Sequence, residues 1–180
     1  MIRKIINKFK KTVYNFFNCG ISYDIDKFVK KGGIIGEGCE VYPNVEFGSE
    51  PYLINIGNCV RITSGVRFIT HDGGVWTLRK SRGLNELDVF GKIVVGDNTH
   101  IGWNAIIMPN VTIGKNCIIG SGDVVTHDIE DNSVAVGVPA RVIETIDEYY
   151  NKVIDKSDNT KSMNWNEKKD YLLQKYNEIK

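Results

Sequence analysis

No stretch of this 180-residue chain approaches the roughly 20 apolar residues in a row that a membrane-spanning helix requires, so none is expected. Charge of one sign is equally scarce. Twenty-three Lys and Arg stand against 22 Asp and Glu, which removes the global field expected of a nucleic-acid binder. Cysteine is limited to Cys19, Cys39, Cys59 and Cys117, with no CxxC pair; these read as buried free thiols in a reducing cytosol, and a cytoplasmic location is expected. Only three histidines occur, His71, His100 and His127, and their closest pair is 27 residues apart. A zinc site would need two of them close together, so no metal cofactor is expected. There is also no GxSxG motif and no reactive-cysteine context, which argues against a covalent acyl-enzyme.

What the chain has instead is a period of six. Val95, Ile101, Ile107, Ile113, Ile119 and Val125 carry a branched apolar side chain at every sixth position. The same register appears at Ile35, Val41 and Phe47 and, after a three-residue slip, at Ile56, Ile62 and Phe68. Six is not the 3.6 of a helix, but as a multiple of two it keeps these residues on one face of extended chain. Gly follows seven of the twelve register positions, and the fourth residue after each is usually compact: Cys39, Val45, Val60, Val66, Thr99, Ala105, Val111, Cys117. A large apolar residue inward, a Gly where backbone crowds and a compact residue near a corner describe an all-β solenoid. Each unit of such an array buries its apolar face only by stacking on neighbours.

The expected organisation is an N-terminal helix and connector over residues 1–33, repeats over 34–143 with an inserted loop at 73–92, and C-terminal helices over 144–180. Met1 to Asn18 has the apolar stripe of an amphipathic helix, with charges that interrupt any signal-peptide core. Its lysines suit an anionic membrane surface, but packing on the rest of the protein is the preferred expectation. Ile146 to Ile154 and Trp165 to Ile179 have helical spacing and are expected to cap the open edge of the last coil, after Pro139 stops regular pairing. Between Phe68 and Val95 the register is interrupted by 27 residues where six would do. A long excursion from a rigid array is usually functional, and its Trp76 and Phe90 are unsuited to bare solvent.

The stretch IGWNAIIMPNVTIGKNCIIGSGDVVTHDI followed by SVAVGVPARVI, with THD before the long loop, resembles the hexapeptide-repeat acyltransferases, in particular the maltose, galactoside and capsular polysaccharide O-acetyltransferases. The resemblance covers Ile35 to Ile143. It implies a left-handed parallel β-helix, a homotrimer, and acetyl-CoA as donor in the groove between subunits. It also implies that His71 is the catalytic base, taking a proton from an acceptor hydroxyl as that hydroxyl attacks the thioester. Asn44, Asp72 and Trp76 are the acceptor-side candidates. Asp72 could orient His71, although neighbouring side chains on extended backbone point apart and an orienter from another coil serves equally.

On the donor side the resemblance implies His100, Trp103, Ser121, Thr126, His127 and Arg141. Two of these depart from the family pattern, since His100 stands where many relatives have Trp and His127 where they have Lys. The second change removes a permanent positive charge, which Lys115 or Arg141 could restore. The expected activity is O-acetylation of a sugar hydroxyl, in surface polysaccharide biosynthesis. An amino-sugar N-acetyltransferase, an antibiotic acetyltransferase and a catalytically silent structural solenoid are the rivals. No nucleic acid partner is expected.

Overall fold

The computed structural model describes residues 25–177, and the helix expected over Met1 to Asn18 lies outside the described residues. In chain order, α1 (Ile25–Lys30) is followed by β1 (Ile34–Ile35), β2 (Glu40–Val41), β3 (Ile54–Ile56), β4 (Arg61–Ile62) and β5 (Arg67–Phe68). Next come α2 (Val75–Arg82), β6 (Ile93–Val95), β7 (His100–Ile101), β8 (Ile106–Ile107), β9 (Thr112–Ile113), β10 (Ile118–Ile119) and β11 (Val124–Val125). The chain ends in β12 (Ser133–Gly137), β13 (Ala140–Thr145), α3 (Ile146–Val153) and α4 (Trp165–Asn177).

Successive strands visit three sheets in turn. Sheet one has the order β1-β3-β6-β9, sheet two β2-β4-β7-β10-β12-β13, and sheet three β5-β8-β11, with Glu46 bridging to Arg67 beneath it. All pairs are parallel except β12 with β13. In sheet one Ile35 pairs with Ile56, Ile56 with Val95, and Val95 with Ile113. A regular circuit is therefore three sixes; the first carries the three-residue slip, and the second carries the inserted loop.

The six-residue register is the core. Eleven of its twelve residues are at most 5% exposed, Ile35 being only partly buried, and all eight compact residues are buried. Phe47 stacks on Phe68 at 5.3 Å, and Phe28 from α1 covers Phe47 at 4.2 Å, closing the first circuit. Branched residues on such short strands gain from packing rather than propensity, because each shelters the residue one circuit away.

The corners follow a rule of their own. The third residue after a register position adopts a left-handed φ at Asn44, Asn98, Asn104, Asn110 and Asn116, as well as at Gly38, Gly65 and Gly122. Asn tolerates this region better than other side chains that carry a Cβ. Asn104→Ala should therefore cost about 1 kcal/mol in chemical denaturation, with Asn104→Gly nearer the parent.

At the far end Asp123 accepts the Gly137 N–H at 2.8 Å. Pro139 sits at the tip of the β12–β13 hairpin, so it ends one run as expected, but pairing resumes antiparallel at Ala140 because the chain reverses there. α3 and α4 match the helical spacing read from the sequence. The chain divides into two compact units, Met1–Asp147 and Glu148–Lys180. Within the second, Asp158 accepts from Tyr171 at 2.9 Å and pairs with Lys175. Among the described residues no helix is long and apolar enough to cross a membrane.

Candidate active site

His71 is the third residue after Phe68, at a corner where the chain does not turn back but enters the inserted loop. Glu50 holds the same position one circuit earlier, third after Phe47, where Pro51–Leu53 form a single 3-10 turn. The two side chains consequently meet, Nδ1 of His71 lying 3.3 Å from Oε2 of Glu50. That oxygen also accepts from the buried Thr70 hydroxyl at 2.7 Å and from Ser49 at 2.9 Å. The Thr70 hydrogen bond, against the opposing effect of burial and with help from Ser49 and His71, holds the Glu50 carboxyl below its ordinary range. Glu50 is therefore a carboxylate at neutral pH and can only accept, so Nδ1 of His71 is the donor in this contact and Nε2 is the nitrogen that bears the lone pair in the neutral imidazole. Glu50, with a side chain only 14% exposed, anchors an imidazole that is 47% exposed.

Asp72 has a different task. Its Oδ1 accepts the Gly74 N–H at 2.8 Å and shapes the entry to α2. Within the loop α2 carries Trp76, which is 61% exposed. Arg79 donates to the Leu87 carbonyl and pairs with Asp88, so one of the loop's cations is spent internally.

The remaining candidates fall into three groups. Thr126 and His127 lie beyond sheet three, at the same corner as His71 but two circuits on, joined by a 2.8 Å contact between Oγ1 and Nδ1. Asn44, Trp103 and Ser121 occupy the other end of sheet three, where it follows sheet two, and there the Trp103 carbonyl accepts from Gly122 at 2.6 Å. His100 and Arg141 lie on sheet two itself. Burial, and then the positive charge of Arg61, push His100 below its usual pKa, with Glu40 opposing, so it is neutral at pH 7. Lys115 faces Asp131 at 3.6 Å and is partly neutralised. Arg141 and His127 remain exposed. Among the described residues no three His, Cys, Asp or Glu side chains converge as a metal site would require.

Glu50 was not singled out from the sequence, yet a signal was present: it and His71 share one position in consecutive circuits. Residues so placed are stacked neighbours about 4.8 Å apart along the strand-pairing direction.

Residues 92–127 match the family described as bacterial transferase hexapeptide (six repeats). Protein CapG of Staphylococcus aureus is 51% identical over 156 residues, which cover 85% of this chain and 89% of that protein. The chain belongs to the hexapeptide-repeat transferases. The galactoside O-acetyltransferase of Lactococcus lactis subsp. lactis is 33% identical over 141 residues, 67% of each chain. A solved galactoside acetyltransferase in complex with coenzyme A superposes with a TM-score of 0.53 and 30% identity, over 79% of this hexapeptide-repeat transferase and 81% of that chain.

Proposed function

We propose that this chain transfers the acetyl group of acetyl-CoA directly to a hydroxyl of a sugar acceptor, in the building of a surface polysaccharide, with His71 as general base. The observation that carries the reading is the Glu50-held imidazole, with Nε2 free, at the mouth of the loop. The acceptor hydroxyl gives its proton to Nε2 while its oxygen attacks the thioester carbonyl carbon. The tetrahedral intermediate then collapses, the C–S bond breaks, and the leaving thiolate of CoA takes the proton back from the imidazolium. The charged Glu50 stabilises the imidazolium through both steps.

Sugar as acceptor and CoA as donor rest on the similar proteins, a galactoside O-acetyltransferase and a galactoside acetyltransferase with bound coenzyme A. The same likeness supports reading the three parallel sheets as a left-handed β-helix over residues 34–143. Asn44, Asp72 and Trp76 are proposed for the acceptor side, and His100, Trp103, Ser121, Thr126, His127 and Arg141 for the donor side. Apart from His100 and Arg141 on sheet two, these residues stand at or beyond two corners separated by sheet three, which favours a homotrimer in which one copy's His71 corner faces another copy's Trp103 corner.

Thiol release from acetyl-CoA against a panel of pyranosides, nucleotide sugars and amines tests the activity. Silence across the panel, with no heat of CoA binding, would overturn it. Glu50→Gln keeps the size of the side chain but loses the charge, and kcat should fall about ten- to a hundredfold. A Gln variant at full rate would remove Glu50 from the mechanism. Because the folded-state pKa of Glu50 is lowered, its stabilising contribution is present above the ordinary carboxylate range and lost only as pH falls through the lower folded value. A rate change near neutral pH is therefore not the titration of Glu50.

A further inference from the structure

The inserted loop leaves the wall at His71 and returns beside it. The Asp72 N–H donates to the Val89 carbonyl at 2.9 Å and the Gly91 N–H to the Thr70 carbonyl at 2.8 Å, with His71 and Phe90 directly opposed in an antiparallel pair. Opposed residues of such a pair project on the same side. Their rings meet edge to face, with centroids 6.3 Å apart at 63°. The returning strand is fixed from behind, because Gly91 is buried so closely on the next circuit that a Cβ there would lie 2.4 Å from the Asn110 nitrogen. Glu50 thus holds His71 from the preceding circuit, and Phe90 flanks it from a strand wedged against the following one. Phe28, Phe47 and Phe68 are buried, whereas Phe90 keeps 49% of its surface open.

A half-exposed aromatic ring beside the imidazole that takes the proton meets whatever brings the hydroxyl. Such a face carries partial negative charge. The C–H groups on one side of a pyranose ring carry partial positive charge and form a flat patch; an acyclic alcohol has no such patch. We infer that Phe90 is an acceptor-contacting residue that favours hydroxyls carried on a pyranose ring, the ring lying on Phe90 while the hydroxyl reaches Nε2 of His71. This rests on the acetyl-transfer reading above and names the group that recognises its acceptor.

The test compares kcat/KM for CoA release with methyl β-galactopyranoside and with glycerol, in the full chain and in its Phe90→Ala and Phe90→Tyr variants. Phe90→Ala should lower the preference for the galactoside about tenfold, through the acceptor KM, the size expected of one aromatic contact. The KM for acetyl-CoA and the pH–rate profile should stay in place, and Phe90→Tyr should restore most of the preference. A loss shared equally by glycerol, or a displaced pH profile, overturns the inference by showing that Phe90 acts through His71. A changed sedimentation coefficient overturns it by assigning the ring to a contact between copies. A parent chain that releases no CoA with any pyranoside overturns it together with the acetyl-transfer reading. A parent active on the galactoside whose preference survives in Phe90→Ala overturns the role of Phe90 alone.

Discussion

His71→Ala is expected to lower kcat for acetyl transfer by about 10²- to 10⁴-fold, the range a positioned general base supplies. Neither carboxylate beside it can replace it. Glu50 is a carboxylate held by Thr70 and Ser49, and Asp72 is turned to the Gly74 amide. The fold should be indifferent to the change, because the imidazole is 47% exposed and its loss opens no cavity in the register core. Stability should stay within about 0.5 kcal/mol of the parent, as for surface substitutions generally. CoA affinity by calorimetry should also persist, since no donor-side candidate is removed. A catalytically silent scaffold makes the opposite prediction, every activity unchanged by the substitution, and an acetylation rate equal to the parent's would sink the general-base mechanism.

The core was legible because one physical quantity, burial, writes itself into the sequence with a fixed period. Val95 to Val125 and the two earlier blocks announce which side chains point inward, and the same period places Thr99 inside although Thr is mostly an exposed residue. Position along the period also located His71, since an interrupted register marks where the wall opens. Spacing says less about contacts between circuits. The orienter of His71 comes from 21 residues upstream, and only counting Glu50 and His71 from their own register residues brings them together. The helix α2 carries no such signal, because its residues, VWTLRKSR, lack a sustained apolar stripe; its ends are tied by Asp72 before it and by Arg79 reaching on to Leu87 and Asp88. Spacing likewise does not show that Asp131, one circuit on from Lys115, accepts the Lys115 backbone N–H at 2.9 Å and stands 3.6 Å from its ammonium; with a side chain 59% exposed, Lys115 keeps its charge in reach of a donor.

Gly102→Ala is expected to destabilise the chain by roughly 3 kcal/mol or more, at or beyond the upper end of ordinary overpacking. Its φ is unexceptional, so the requirement is one of space. A Cβ at Gly102 would stand 2.6 Å from the Gly120 carbonyl carbon and 2.6 Å from the Ser121 nitrogen. Both are backbone atoms, and no rotamer change can clear them. Gly102 also donates to the Ile119 carbonyl at 2.9 Å, one of the bonds that join the circuits of β7 and β10. Relief would mean prying those circuits apart beside Ile101 and Ile119, both wholly buried. The drop in Tm should be about 6–12 °C, taking 2–4 °C per kcal/mol for a chain of this size. Gly73→Ala is the control, because a Cβ there meets nothing within 4 Å. Trp103 and Ser121 flank the crowded contact, so the variant should also bind CoA more weakly at temperatures where it remains folded. Equal melting of the two alanine variants would show that the circuits yield at this corner, and the close glycine stack would then not be what sets their spacing.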